Sequence, residues 1–100
     1  MTAYLIADVD VTDPSLFAEY IREVAATEAR YGGRYLGRGG LTKVLECDWQ
    51  PHRLVIVEFP DMGSLTAWYE PPEYARLKAI RERCAKTRII ALDGIATVTS

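Results

Sequence analysis

Residues 53–60 constrain the fold of this chain most strongly, because they form a short, mainly apolar and β-branched run that ends in proline. Such a run is typical of a strand that is covered on both faces, in the interior of a sheet. Glu58 is the exception within it. A carboxylate at such a position is costly unless it is paired, hydrogen-bonded or reached by water. We therefore predict that Glu58 has a partner or lines a cavity.

Residues 4–11 alternate between a wholly apolar face and a mixed face, which predicts the first strand. Asp13 follows as the N-cap of a helix, with Pro14 at the first helical position, where its missing N–H costs nothing. From there apolar residues recur at helical spacing, so this helix is amphipathic. Gly32 and Gly33 are a typical C-terminal stop, and the helix is predicted to end before them.

The second half of the chain contains two more strand patterns around a helical region. Residues 34–40 are predicted to form a second strand that bends at its glycines, and 41–46 can continue it. After the central strand, Asp61 is an N-cap candidate. The helix that it begins is interrupted at 70–73, because a residue before proline avoids the α region. Residues 87–94 are predicted to form the last strand.

The resulting order β-α-β-β-α-β is that of the ferredoxin-like fold, a four-stranded antiparallel sheet with its helices on one face. We therefore assign the chain to the α+β class, as a single domain over residues 1–100 with a tail at about 95–100. The other face of the sheet is bare, although sheets bury apolar surface against a second layer. A homodimer whose sheets face each other is the expected solution.

The composition argues against several classes of partner. The formal net charge of -2 gives no reason to expect nucleic acid or an anionic membrane surface. Cys47, Cys84 and the single His52 have no spacing suited to zinc, so we predict no metal, and we predict no cofactor. The sequence shows no signal peptide and no apolar run long enough to span a membrane. A cytoplasmic location with free thiols is therefore expected.

Several stretches resemble the family called domain of unknown function 1330 (DUF1330): 4–14, 31–40, 54–60, and Trp68-Tyr69 followed by Pro72-Glu73-Tyr74. The likeness extends over nearly the whole chain, from about Tyr4 to Asp93, with matching order and spacing. The resemblance implies a small bacterial protein that pairs as a dimeric α/β barrel. It implies no agreed activity, so it leaves the chemistry open.

Side-chain parity divides the predicted sheet into a helix-facing side and an open side. On the open side, towards the cleft between the two sheets of the dimer, lie Asp8 of the first strand and Glu58 of the central strand. Arg38 is placed beside them by charge complementarity. Asp8, Arg38 and Glu58 are the candidate catalytic residues, because two acids near one arginine can hold one carboxyl protonated and the other ionised, as acid/base catalysis requires.

Aromatic and apolar residues near this cluster are the candidate ligand contacts: Tyr4, Ile6, Trp49, Ile56, Trp68 and Tyr74. For the aromatic residues of the second helical region, packing in the core is the alternative. The leading hypothesis is a homodimer that binds a small organic molecule in the intersheet cleft. By analogy with monooxygenases and isomerases that share this barrel, we predict that the dimer carries out cofactor-free acid/base chemistry. The alternative is a non-catalytic structural or interaction dimer, in which Arg38 and Glu58 form an ion pair that only fixes the fold.

Overall fold

The computed structural model of the chain describes residues 1–70 and 72–95. These residues form four strands and three helices: β1 (Ala3–Val11), α1 (Pro14–Arg30), β2 (Arg34–Arg38), β3 (Leu54–Phe59), α2 (Met62–Tyr69), α3 (Pro72–Cys84) and β4 (Ala85–Asp93). The strands form one antiparallel sheet in the order β2-β3-β1-β4. The predicted ferredoxin-like α+β arrangement is confirmed, with the second helical region divided into α2 and α3.

Asp13 and Asp61 begin the first two helices, as predicted. Asp13 Oδ1 accepts a hydrogen bond of 3.2 Å from the backbone N–H of Leu16, and Asp61 Oδ1 accepts one of 2.7 Å from that of Ser64. These N-cap bonds satisfy backbone N–H groups that no helical carbonyl can reach. The caps therefore fix where each helix starts.

The sheet has one covered face and one open face, as the alternation on β1 and β3 predicts. The helices cover the face that carries Leu5, Val57 and Phe59, which are almost fully buried. The neighbouring side chains on the same strands, such as Ile6 and Ile56, point the other way and are only half-buried. The apolar core therefore forms one layer between the sheet and the helices.

The segment after β2 differs from the prediction. β2 ends at Arg38, and residues 39–53 form neither helix nor strand. The expected continuation of the strand through 41–46 is therefore wrong. The physical reason is Gly39, whose φ of 68° turns the chain out of the extended conformation that a strand needs.

The C-terminal third of the chain follows the prediction more closely. The predicted interruption falls where Glu70 caps α2 and Pro72 begins α3. β4 starts at Ala85, directly after α3 and earlier than the predicted start at Thr87. Residues 96–100, which make up most of the predicted tail, lie outside the described residues.

Three properties of the described residues bear on partners and location. No helix among residues 1–70 and 72–95 is both long enough and apolar enough to cross a membrane. The same residues contain no group of three or more His, Cys, Asp or Glu side chains arranged to hold a metal ion. Cys47 is exposed and Cys84 is buried, and both are free thiols, as expected.

Candidate functional site

A cavity of about 60 Å³ lies between the covered face of the sheet and the helices. One water molecule needs about 10–15 Å³ of such space, so the cavity has room for a molecule of about five heavy atoms. Its apolar lining comes from strands and helices, including Leu5, Ala7, Phe17, Val24, Val55 and Ile89. Its polar lining includes Tyr20, Glu28, Tyr35, Arg38, Tyr74 and Arg81. A mostly apolar cavity with a few converging polar groups is the usual form of a small-molecule site.

Glu28 is the buried carboxyl group of this cavity. It lies near the end of α1 and is only 4% exposed. Tyr35 Oη donates a hydrogen bond of 2.5 Å to Glu28 Oε1. Burial raises the pKa of Glu28 to about 7, against the opposing effects of this hydrogen bond and of the nearby Arg38 charge. At neutral pH this carboxyl therefore takes up and releases a proton readily, as a general acid or base must.

Arg81 is the buried cation of the same cavity and is 5% exposed. Its Nη1 donates a hydrogen bond of 2.9 Å to Tyr74 Oη, which lies 3.1 Å from Tyr20 Oη. Burial raises the pKa values of Tyr20 and Tyr74, so both phenols stay neutral. Among the described residues, Arg81 Nε has no hydrogen-bond partner and Arg81 forms no ion pair.

The three residues predicted as a catalytic cluster are not brought together. Asp8 lies opposite Leu54, at the far end of β3 from Glu58. Both carboxylates are on the open face of the sheet. Arg38 lies opposite Val55 and so faces the helices, on the other side of the sheet. Arg38 lines the cavity beneath the helices, whereas Asp8 lines pockets on the open face.

The placement of Arg38 on the open face is thus corrected, and the correction has a definite cause. A β-bulge between Tyr35 and Gly37 shifts the register of β2 against β3. Because successive side chains of a strand point to opposite faces, one extra residue moves Arg38 from the open face to the covered face. There its guanidinium carbon lies 4.5 Å from the centre of the Tyr35 ring.

Glu58 has a partner, as predicted for a carboxylate in this strand, but the partner is Arg34. Arg34 Nη2 lies 2.9 Å from Glu58 Oε1, and the two side chains are 71% and 28% exposed. An ion pair that is this accessible to water contributes at most about 1 kcal/mol. The ion pair between Arg38 and Glu58 that the non-catalytic alternative requires is not formed, because the two side chains lie on opposite faces.

Asp8 is bound by the segment that connects β2 to β3. Its Oδ1 accepts a hydrogen bond of 2.9 Å from the backbone N–H of His52, and its Oδ2 accepts one of 3.1 Å from Trp49 Nε1. Burial acts to raise the pKa of Asp8, but these hydrogen bonds outweigh it and hold the pKa below its ordinary value. Asp8 is therefore an ionised anchor for this segment.

The predicted ligand contacts are divided between the two faces of the sheet. Those on or beside the open face are Tyr4, Ile6, Ile56 and Trp49. Those that line the cavity are Trp68 and Tyr74, whose ring centres lie 4.3 Å apart. The ligand-binding roles of these residues, and the catalytic roles of Asp8, Arg38 and Glu58, stay predictions.

Sequence reasoning did not select Glu28 or Arg81 as site residues. The signal that was available is their position on an apolar helix face. Glu28 follows Val24, and Arg81 follows Leu77, at the i+4 spacing that places both members of a pair on the same side of a helix. Charged side chains are seldom buried without a partner or a function, so a charge in register with an apolar stripe marks a candidate site.

The comparisons with known proteins agree with this fold. The model of the family described as domain of unknown function (DUF1330) matches residues 2–95 of the chain. A search of curated proteins found no match. The similar solved structures include a protein of unknown function from Rhodopseudomonas palustris, which is 17% identical with a TM-score of 0.77 over 96% of this chain and 84% of that protein.

Two further solved structures carry descriptions of activity or assembly. SnoaB, a cofactor-independent oxygenase from Streptomyces nogalater, is 15% identical, with a TM-score of 0.66 over 99% of this chain and 98% of SnoaB. A dimeric protein of unknown function with a ferredoxin-like fold from Bacteroides fragilis is 12% identical, with a TM-score of 0.60 over 93% of this chain and 96% of that protein. At these identities the likeness shows the fold alone.

Proposed function

We propose that this chain, which belongs to the DUF1330 family, catalyses cofactor-free proton transfer on a small organic molecule bound between the sheet and the helices. Glu28 removes a proton next to a carbonyl group or from a hydroxyl group, and leaves an enolate or phenolate. The observation that carries the proposal is the buried Glu28 carboxyl, whose pKa burial raises to about 7. A general base is most effective when its pKa lies near the working pH.

The surroundings of Glu28 support this role. Its hydrogen bond from Tyr35 holds the carboxyl in one orientation, so that the base does not have to be ordered when a substrate arrives. The mostly apolar lining of the cavity lowers the local dielectric constant, which strengthens the electrostatic interactions inside it. The side chains of Arg38 and Arg53 also line the cavity and are not buried, so they mark the side on which the cavity meets solvent.

Exchange of substrate hydrogens for deuterium in heavy water tests the proposal. Pyruvate and 2-butanone, two small ketones that differ in charge, are incubated with the protein and followed by proton NMR. The native protein is expected to accelerate the exchange of at least one of them. Glu28→Gln is expected to lower that rate by at least about 100-fold, the usual contribution of a general base.

Glu23→Gln is the matched control, since Glu23 is an exposed carboxylate on the same helix, paired with Arg76. It is expected to keep the native exchange rate. Equal rates for the native protein and Glu28→Gln would remove Glu28 from the mechanism.

The indole groups of Trp68 and Trp49 report which side of the sheet a ligand occupies. Trp68 Nε1 donates a hydrogen bond of 3.0 Å to Thr27 Oγ1 beside the cavity, whereas Trp49 Nε1 is bound to Asp8 on the open side. In a ¹H–¹⁵N spectrum, a ligand in the cavity is expected to shift the Trp68 signal and to leave the Trp49 signal in place. The opposite result would favour the intersheet cleft that the sequence predicts.

Reaction with dioxygen is a second candidate for the step that follows proton removal. It is supported by the similarity to SnoaB, a cofactor-independent oxygenase. Addition of dioxygen and a proton to the enolate carbon gives a hydroperoxide and consumes one equivalent of dioxygen. Oxygen-electrode recordings with the ketone whose hydrogens exchange are expected to show uptake that Glu28→Gln abolishes. Deuterium exchange without oxygen uptake would instead indicate isomerase-like proton transfer.

We propose that the protein acts as a homodimer in which two open sheet faces meet. Ile90 and Leu92 of β4 expose 63% and 54% of their surface on the same strand, and Leu41 and Leu45 are also exposed in the segment between β2 and β3. Large exposed apolar side chains in such number favour an interaction site. A similar solved structure is that of a dimeric protein, which supports the proposal.

Sedimentation at micromolar concentration tests the dimer. Ile90→Glu introduces a charge into the open face, opposite Ile6 of β1 in the strand register, and is expected to give a folded monomer. Ala79→Glu is the matched control, because Ala79 is exposed on α3, on the other side of the molecule. A native protein that sediments as a monomer would overturn the proposal.

A further inference from the structure

Arg81 carries a positive charge that the described residues leave without a counterion. The residue is 5% exposed and is one of those that line the cavity. The hydrogen bond from Nη1 goes to Tyr74, a neutral phenol, and Nε has no partner in the described part of the chain. A buried charge in apolar surroundings is strongly unfavourable unless an opposite charge is close.

Glu28 is the carboxyl that lines the same cavity, but it does not neutralise Arg81. Its carboxylate is bonded to Tyr35, and the cation that lowers its pKa is Arg38. A carboxylate in direct contact with a buried guanidinium has a lowered pKa, whereas burial raises that of Glu28 to about 7. The charge of Arg81 is therefore available to a bound molecule.

The shape of the guanidinium group narrows the choice of anion. Arginine presents its N–H donors in a planar fork, and one edge of the fork matches the two oxygens of a carboxylate. The unpartnered Nε lies on one such edge but is itself buried, so a carboxylate has to reach Arg81 where the residue lines the cavity. The cavity, at about 60 Å³, holds about five heavy atoms, which is the size of a three-carbon acid.

We propose that the cavity binds a small carboxylate, with its charged group on Arg81 and its apolar body against Leu5, Ala7 and Val55. This inference rests on the proposed function and names its substrate class as short carboxylic acids with an enolisable position, such as oxo acids. Arg81 positions the substrate before Glu28 and stabilises the negative charge that develops when the proton leaves.

Titration with propionate and propionamide, followed at the indole ¹H–¹⁵N signals, tests this proposal. The two molecules have the same size, and only propionate carries a charge. Propionate is expected to shift the Trp68 signal saturably without shifting that of Trp49, and propionamide is expected to bind at least about 10-fold more weakly, because it lacks the charge-assisted hydrogen bonds. This comparison needs no variant.

Two variants distinguish a role of Arg81 in binding propionate from a role in stabilising the fold. Arg81→Met replaces an unpaired buried charge with an apolar chain, so it is expected to melt at or above the native temperature while its affinity for propionate falls at least about 10-fold. Glu28→Gln is expected to bind propionate as tightly as the native protein or more tightly, because it removes a negative charge from the cavity. A lower melting temperature of Arg81→Met together with native affinity would show a structural role and overturn the proposal.

The outcomes distinguish this inference from the proposed function. One outcome is that propionate binding depends on Arg81 while the rate of deuterium exchange is the same in the native protein and in Glu28→Gln. This outcome would overturn only the proton-transfer function. Exchange of 2-butanone that depends on Glu28, with equal affinity for propionate and propionamide, would overturn only the carboxylate class.

Discussion

Charged side chains have partners on the open face of the sheet, whereas those in the cavity on the covered face are left partly unsatisfied. On the covered face, Glu28 and Arg81 line an apolar cavity, where burial raises the pKa of Glu28 and where Arg81 Nε has no partner among the described residues. On the open face, Asp8 is satisfied by the loop beside it, and Glu58 is satisfied by Arg34. This difference shows that a charged residue is good evidence of a functional site when its surroundings leave it without a partner. An unusual position in a strand is weaker evidence.

The variants Val57→Asp and Ile56→Asp test this comparison, and Val57→Asp has the largest expected effect on stability. Val57 is 0% exposed on the covered face, so Val57→Asp is expected to cost more than about 4 kcal/mol and to prevent folding. Ile56 is the next residue of the same strand and points to the open face, so Ile56→Asp is expected to fold as a monomer. Circular dichroism and sedimentation measure the two outcomes. Equal loss of structure in both variants would contradict the assignment of the faces.

The pH dependence of stability distinguishes the buried carboxyl from its neighbours. The pKa of Glu28 rises from 4.5 in the unfolded chain to about 7 in the folded one, so the folded state keeps a proton that the unfolded chain releases. Stability from this group is thus present at low pH and is lost as the pH rises from about 4.5 through about 7. At about 1.4 kcal/mol per pKa unit, Glu28→Gln should gain up to about 3 kcal/mol on the native protein between pH 5 and pH 8.

Urea unfolding of the native protein and of Glu28→Gln at both pH values measures this gain. Glu23→Gln, at an exposed position of the same helix, is the matched control for loss of a carboxylate. A constant difference between native protein and Glu28→Gln would mean that water reaches the carboxyl freely.

Asp8→Asn is expected to have an intermediate effect with the opposite pH dependence. Both oxygens of Asp8 accept hydrogen bonds, whereas asparagine has only one acceptor and would place its amide against a donor. The loss at pH 7 is expected to be about 1–2 kcal/mol. Because the pKa of Asp8 is held below its ordinary value of 3.8, its stabilisation is present above that pH and is lost as the pH falls through the folded pKa.

The difference between the native protein and Asp8→Asn should therefore shrink in acid, which urea unfolding can follow. The Trp49 indole signal is expected to move, because that indole loses its acceptor. An unchanged Trp49 signal would show that the loop is held by other contacts.

Local periodicity explains the parts of the fold that were predictable from sequence. The caps at Asp13 and Asp61 are formed by the residues themselves and by the backbone just after them. The opposite orientation of Ile56 and Val57 follows from the two-residue repeat of a strand. Each of these features depends on neighbours close in sequence, so each leaves a clear pattern.

The register of β2 and the cavity depend on contacts between distant parts of the chain. The bulge before Gly37 inserts one residue into a short strand, and a pattern of five residues cannot reveal it. Glu28 is bonded to Tyr35 of β2, and Arg81 is bonded to Tyr74, whose hydroxyl group pairs with that of Tyr20 on α1. The i+4 spacing of Glu28 from Val24 and of Arg81 from Leu77 is a signal in the sequence, but it does not show that the two helix faces meet around one cavity.

Glu58→Gln is expected to have the smallest effect, although Glu58 is the residue that the sequence makes most conspicuous. A fully buried ion pair broken on one side costs about 3–5 kcal/mol, but the pair of Glu58 and Arg34 is partly exposed and belongs with surface pairs, worth at most about 1 kcal/mol. A glutamine at position 58 still accepts a hydrogen bond from Arg34. Urea unfolding is therefore expected to place Glu58→Gln within about 1 kcal/mol of the native protein, with a difference that shrinks in high salt. Its rate of deuterium exchange should be native, whereas that of Glu28→Gln should not. A loss of several kcal/mol, or a loss of exchange, in Glu58→Gln alone would place the functional carboxylate on the open face and reverse the comparison.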